Sequence, residues 1–134
     1  MGYWGNAPWD NDYAADWCAD VFDKTRLHEE IATCLARKVD ESNRDEMRAA
    51  IMLFISLGRV YVYDADKYEE HLELALLKAR ELLKHWIEGG WDNDQHIGEN
   101  ISHEIKILEM RKLGEAAYRE PPEEELRSYW LRWM

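Results

Sequence analysis

Cysteine, proline and clustered basic charge are all scarce in this chain, and each scarcity removes a class of protein. The two cysteines, Cys18 and Cys34, have a spacing that matches no thiol redox motif and no zinc knuckle; such sparse usage fits a reduced compartment. Proline occurs only at Pro8, Pro121 and Pro122, outside the stretches with helical periodicity. No apolar run reaches the roughly 18 residues of a membrane span, and the longest candidate, Ala49 to Tyr63, is interrupted by Ser56, Gly58 and Arg59. The opening residues lack the basic start and apolar stretch of a secretory signal, and Asn6 stands where a myristoylation site needs Ser or Thr. A cytoplasmic protein without membrane contact is therefore expected. Lys and Arg do not cluster, and the formal charge is −11, which argues against nucleic acid as a ligand because phosphate contacts need grouped cations. There is no Gly-x-Ser-x-Gly, phosphate loop or dinucleotide fingerprint, so the sequence assigns no catalytic residue and no cofactor.

What is present points to one folded domain. A chain of 134 residues that is 46% apolar is long enough for a core and too apolar for a disordered acidic tail. Seven Trp and seven Tyr must be largely buried or at an interface. The tetrapeptide Trp-Asp-Asn-Asp occurs twice, at Trp9–Asp12 and Trp91–Asp94. Residues 1–23 and 85–105 each hold five acids and no Lys or Arg, and the other residues are nearly balanced. Excess negative charge on two Trp-marked segments suggests a surface for a basic partner or a cation.

The periodicity predicts an all-α, single-domain bundle of about six helices over residues 1–134, with 1–9 an irregular aromatic arm in which Trp4 and Trp9 are anchored. The first helix starts at a cap among Asp10, Asn11 and Asp12 and runs to about Phe22, with Ala14, Trp17, Cys18 and Val21 inward. The second runs from about Thr25 to Val39. Ser42 with Asp45 suggests a capping box for the third, which is apolar nearly all round and belongs at the centre. Arg59–Tyr63 is expected as helix end and connector. Asp64 or Asp66 caps the longest helix, about Lys67 to Glu88, which Gly89-Gly90 terminates. Asn93 or Asp94 caps the fifth, with Ile97, Ile101, Ile105 and Leu108 inward. The last opens at Pro121-Pro122, and its Leu126, Tyr129, Trp130 and Trp133 either close the core, which is the expectation, or face a partner.

Two groups of polar residues are candidates for function. Asp12, Asp16 and Asp20 repeat at i, i+4, i+8, where like charges cost a helix a few tenths of a kcal/mol per pair; with Asp92 and Asp94 they form the expected partner-binding set on one acidic face. The plainer reading is a solvated face with capped helix starts. Asp92, Asp94, His96, Glu99, Asn100 and His103 offer the carboxylate and imidazole ligands of Zn²⁺, Mn²⁺ or iron. The named metal motifs nevertheless fail. No Glu-x-x-His occurs, and the loop beginning at Asp92 has Ile97 and His103 where a calcium loop needs Gly and Glu. No metal site is assigned. Cys18 and Cys34 are expected as core residues. Arg48 and Arg59 are either buried partners of acids or end-of-helix cations, with the second expected.

Met1, Gly2, Trp4, Gly5, Trp9, Asp10, Asn11, Asp12, Ala14, Asp16 and Trp17 resemble the opening of a family of small bacterial proteins known as a domain of unknown function. Those chains begin Met-Gly-x-Trp-Gly, then an aromatic, an acid and Asn-Asp. The resemblance implies a small bacterial helical protein and carries no activity. The functional expectation is a non-enzymatic helical module that binds a protein with a basic surface, in the style of an immunity or antitoxin-like inhibitor. The rival is a metal-dependent enzyme built on residues 92–103. Oligomeric state stays open.

Overall fold

The computed structural model describes residues 11–59 and 62–113, together with Arg127, Tyr129 and Leu131. The expected arm, and most of the last helix, lie outside the described residues. Within them the chain is all-α: α1 (Asp12–Lys24), α2 (Leu27–Leu35), α3 (Arg44–Leu57), α4 (Tyr68–Ile87), a one-turn 3₁₀ element (Gly90–Asn93) and α5 (Gln95–Lys112). Arg127, Tyr129 and Leu131 are helical, where the sixth helix is expected. No described helix is long and apolar enough to cross a membrane.

Side chains on the helix starts and linkers set the boundaries. Asn11 Oδ1 accepts from the Ala14 N–H at 2.8 Å and caps α1. The second helix stops at Leu35, short of the expected Val39, because the linker has its own hydrogen bonds. Asp40 Oδ1 accepts from the Ser42 N–H at 2.7 Å and the Asn43 N–H at 3.0 Å, and Asn43 Oδ1 accepts from the Asp40 N–H at 3.0 Å. These exchanges replace the capping box expected from Ser42 and Asp45. The bonds from Ser42 and Asn43 hold the Asp40 carboxyl below its usual range. At the end of α3 a Cβ on Gly58 would lie 2.3 Å from the Phe54 carbonyl oxygen, so only glycine fits the turn. Asp64 Oδ1 then accepts from the Asp66 and Lys67 N–H groups and prepares the start of α4. Gly89, at φ 103°, terminates that helix in the left-handed region.

The core lies where α4 meets its neighbours. Leu72, Ala75, Leu76, Ala79 and Leu82 of α4 are buried with Ile31 and Leu35 of α2, Met47, Ile51, Phe54 and Ile55 of α3, and Ile101, Ile105 and Leu108 of α5. Gly98 of α5 lets the indole of Trp86 approach closely; a Cβ there would sit 2.6 Å from the ring. By contrast α1 buries only Phe22. The expected inward Trp17 is 67% exposed, and Tyr13, four residues before it, is 80% exposed. Ala14, Cys18 and Val21 of the expected stripe are half-buried, so Trp17 alone departs from it, at the edge farthest from Phe22 and the core.

Charged groups also enter the interior. Glu104 of α5 is 2% exposed. Its Oε2 accepts from the Tyr129 hydroxyl at 2.9 Å and lies 3.5 Å from Arg48 Nη2 of α3. Arg48 is thus the partner of a buried acid, the alternative to the expected end-of-helix cation. Tyr129 is 0% exposed, so the C-terminal helix docks on the core at this position. Burial, together with the adjacent carboxylate, pushes the Tyr129 phenol well above its ordinary range, and it stays a donor. Arg111, also buried, donates to the Gly58 carbonyl at 3.1 Å and ties α5 to the end of α3.

Glu104→Ala should lower stability by about 3–5 kcal/mol in urea unfolding, since it removes the buried carboxylate beside Arg48 and the acceptor of the Tyr129 hydroxyl. The paired change Arg48→Met with Glu104→Leu should cost far less. Equal losses in the two proteins would show that the carboxylate contributes only packing volume.

Candidate functional site

The five aspartates expected to form one face are divided between the two ends of α4. Asp16 of α1 lies beside Asp66 and Glu69, which flank the first turn of α4. Asp92 and Asp94 follow the last turn of that helix. A helix of 20 residues separates its ends by about 30 Å. The single acidic face is therefore corrected to two separate acidic segments. Each Trp-Asp-Asn-Asp copy does precede a helix, but α1 runs past the start of α4 and the second copy leaves its end.

The first segment surrounds a cavity of about 480 Å³. Ala15, Asp16 and Ala19 of α1 form one wall. Arg59, Tyr63, Ala65 and Asp66 of the connector form another, and Tyr68 and Glu69 of α4 close it. The three small alanines leave the space open. Arg59 is 5% exposed and is the one cation on the wall among the described residues. No ion pair among the described residues engages Asp16, Asp66 or Glu69. Asp66 and Glu69 gain from the positive end of the α4 dipole, which accounts for acids in that turn. Asp16 belongs to a different helix and gains nothing from that end as a capping residue. Farther along α1, Asp20 pairs with Lys24 at 2.8 Å.

Beneath the cavity lies a polar-aromatic cluster. The Tyr63 hydroxyl and His71 Nδ1 are 2.8 Å apart and buried. Burial lowers the His71 imidazole below its ordinary value, and burial raises the Tyr63 phenol above its own. The pair therefore consists of a protonated phenol donating to a neutral imidazole, with the His71 proton on Nε2. His28 Nε2 lies 3.4 Å from Asp64 Oδ2. Phe22 and Phe54 pack on Tyr63 with ring centroids 5.0 and 5.1 Å away. The cluster fixes Tyr63, and with it the floor of the cavity.

The second segment is tied down differently. Trp91 and Asp92 are both in the left-handed region, at φ 55° and 54°, a conformation that costs non-glycine residues on the order of 1–3 kcal/mol each. Contacts to Trp91 hold the turn. Arg44 lies over its ring at 4.7 Å, the indole N–H donates to Asp45 Oδ1 at 3.1 Å, and His85 meets it edge-on. Arg44 Nη1 is also 3.0 Å from His85 Nε2. Asp94 caps α5 by accepting from the His96 N–H at 2.9 Å. Glu99 accepts from Gln95 at 3.1 Å, and His103 stacks on Tyr129 with centroids 6.4 Å apart. Asp94, Glu99 and His103 thus have separate local engagements, and among the described residues no three His, Cys, Asp or Glu side chains are grouped to hold a metal. Cys18 is half-buried and burial pushes its thiol up, away from the thiolate form a nucleophile needs.

Sequence reasoning found Asp16 but missed Asp66, Glu69 and both tyrosines of the cavity. Asp66 was visible only as a cap candidate, and Glu69 was not singled out at all. Nothing in the local pattern says that α1 crosses that turn.

Two outcomes follow from this geometry. Asp92→Gly should raise stability by up to about 1 kcal/mol in thermal unfolding, because glycine relieves the left-handed strain; a loss would show that the Asp92 side chain holds the turn. His71 should make the fold acid-sensitive. Its folded value lies below the ordinary 6.5, so on acidification the unfolded chain takes the proton first and stability is lost as pH falls through that range. His71→Gln should flatten this part of the stability–pH curve, and an unchanged or steeper slope would contradict the burial of a neutral imidazole.

No family model, no curated protein and no solved structure matches this chain.

Proposed function

We propose that this protein is a non-enzymatic binding module that captures a basic protein through α1 and the start of α4. An immunity or antitoxin-like inhibitor acting in the cytoplasm is the specific form. The observation that carries the reading is the outward face of α1, where exposed Tyr13 and Trp17 stand among Asp12, Asp16 and Asp20. An indole left in water on a helix that also concentrates like charge is poor economy for a lone fold. It suits an interface, where Trp and Tyr are the residue types that contribute most when buried. The carboxylates add long-range attraction, which speeds encounter with a positive surface and weakens with salt.

The reading places the contact on α1 and the start of α4 and does not require Asp92 and Asp94, which follow the other end of that helix. The resemblance of the opening residues to the small bacterial family is compatible with the reading and adds no mechanism to it.

The test is partner capture followed by kinetics. A partner recovered on the immobilised protein should be basic. Its association rate should fall at least about tenfold between low and high salt. Trp17→Ala should weaken affinity by roughly thirtyfold, mainly through faster dissociation, and Asp16→Asn should slow association. A partner whose binding ignores both substitutions would refute the proposed face. Stoichiometric transition metal in the purified protein, by elemental analysis, would favour the metal-dependent enzyme instead.

A further inference from the structure

We infer that the cavity between α1 and the start of α4 seats a single lysine side chain of that partner; this rests on the reading of α1 and the start of α4 as the binding face. Among the described residues three carboxylates, Asp16, Asp66 and Glu69, line it against one cation, Arg59. All three are exposed, and their excess negative charge stands around the mouth of the cavity, where it attracts a cation. The cavity volume of about 480 Å³ is at the small-ligand end of the usual range for binding pockets. A partner side chain with its alkyl stem fits such a space.

The arrangement favours ammonium over guanidinium. Each carboxylate comes from a different element: Asp16 from α1, Asp66 from the connector and Glu69 from α4. They are thus distributed around the opening and do not form one planar fork. A lysine ammonium carries three rotatable N–H donors and meets such a set from within, whereas arginine binds best to a single carboxylate edge or stacked on a ring. Tyr63 and Tyr68 line the same space with ring planes 66° apart and centroids 6.3 Å apart. Phe54 packs on both rings, so they close the floor of the cavity and leave the cation to the carboxylates. The alanine methyl groups supply an apolar wall for the lysine stem, which gains by leaving water while its head stays among the acids.

The experiment is a titration of the labelled full chain, followed through backbone amide shifts, with Nα-acetyl-lysine methylamide and its arginine and norleucine counterparts. The expected result is saturable shifts at Ala15, Ala65 and Glu69, about fivefold or more tighter for lysine than for arginine, and none for norleucine. Asp16→Asn combined with Glu69→Gln should abolish the lysine response while the rest of the spectrum keeps its dispersion, which establishes that the variant is folded. A free aliphatic diamine, 1,5-diaminopentane, serves as the fourth probe and should bind no better than the lysine compound. Absence of saturable shifts at these amides would overturn the inference, as would equal binding of arginine or norleucine. Tighter binding of the diamine would overturn it too, by making the cavity a site for a free amine. If the lysine probe fails while a basic partner still binds in a Trp17-dependent manner, the inference falls and the binding module stands. If the probe binds but no partner depends on Trp17, the module reading falls instead.

Discussion

The length of α4 is the constraint on which the rest of the molecule depends. Its 20 residues carry the apolar stripe that α2, α3 and α5 cover, and they hold its two ends about 30 Å apart. Negative charge is tolerated at the start, where Asp64 organises the entering turn and the helix dipole favours Asp66, Glu69 and Glu70. At the other end Gly89 reverses the chain and the second Trp-Asp-Asn-Asp begins. Whatever sits at one end cannot share a surface patch with the other. This is why a chain with two acidic segments presents two separate features.

The buried polar groups work as registers between elements. Tyr63 and His71 join the connector to α4 at the floor of the cavity. Glu104 brings together Arg48 of α3 and Tyr129 of the C-terminal helix, and Arg111 reaches back to Gly58. Such pairs add little net energy over an apolar replacement. They do penalise misplaced packing, because a shifted helix would strand a charge or a hydroxyl in the core. The strained turn at Trp91 and Asp92 has the same character: Arg44, Asp45 and His85 converge on one indole and hold the start of α3 to the end of α4.

Much of the fold was legible because most stripes had one period and most ends had caps. Ile101, Ile105 and Leu108 are buried as their spacing requires, and Asn11 and Asp94 cap the helices they precede. Legibility failed where a neighbour decided the outcome. Trp17 satisfied the stripe of α1 yet faces water, while Ala14, Cys18 and Val21 of that stripe are half-buried and Phe22 is the residue the helix buries fully. The capping box expected of Ser42 and Asp45 does not form, because Asp40 holds the linker through the Ser42 and Asn43 N–H groups before α3 begins. The pairing of Arg48 with Glu104 spans 56 positions, beyond any local pattern. The cavity was hidden for the same reason: Asp16 and Glu69 meet only because α1 lies across a turn fifty residues later in the sequence.

The central claim is that the negative potential is focused where α1 meets the start of α4, and not spread over all the aspartates. Paired paramagnetic relaxation measurements with a cationic and an anionic nitroxide of equal size test it most directly, because the ratio of the two effects at each amide reports local potential. The account predicts the strongest preference for the cationic probe at residues 15–19 and 65–69, a weaker one at 92–94 beside Arg44, and loss of the difference in high salt. An equal or stronger preference at 92–94 would contradict it.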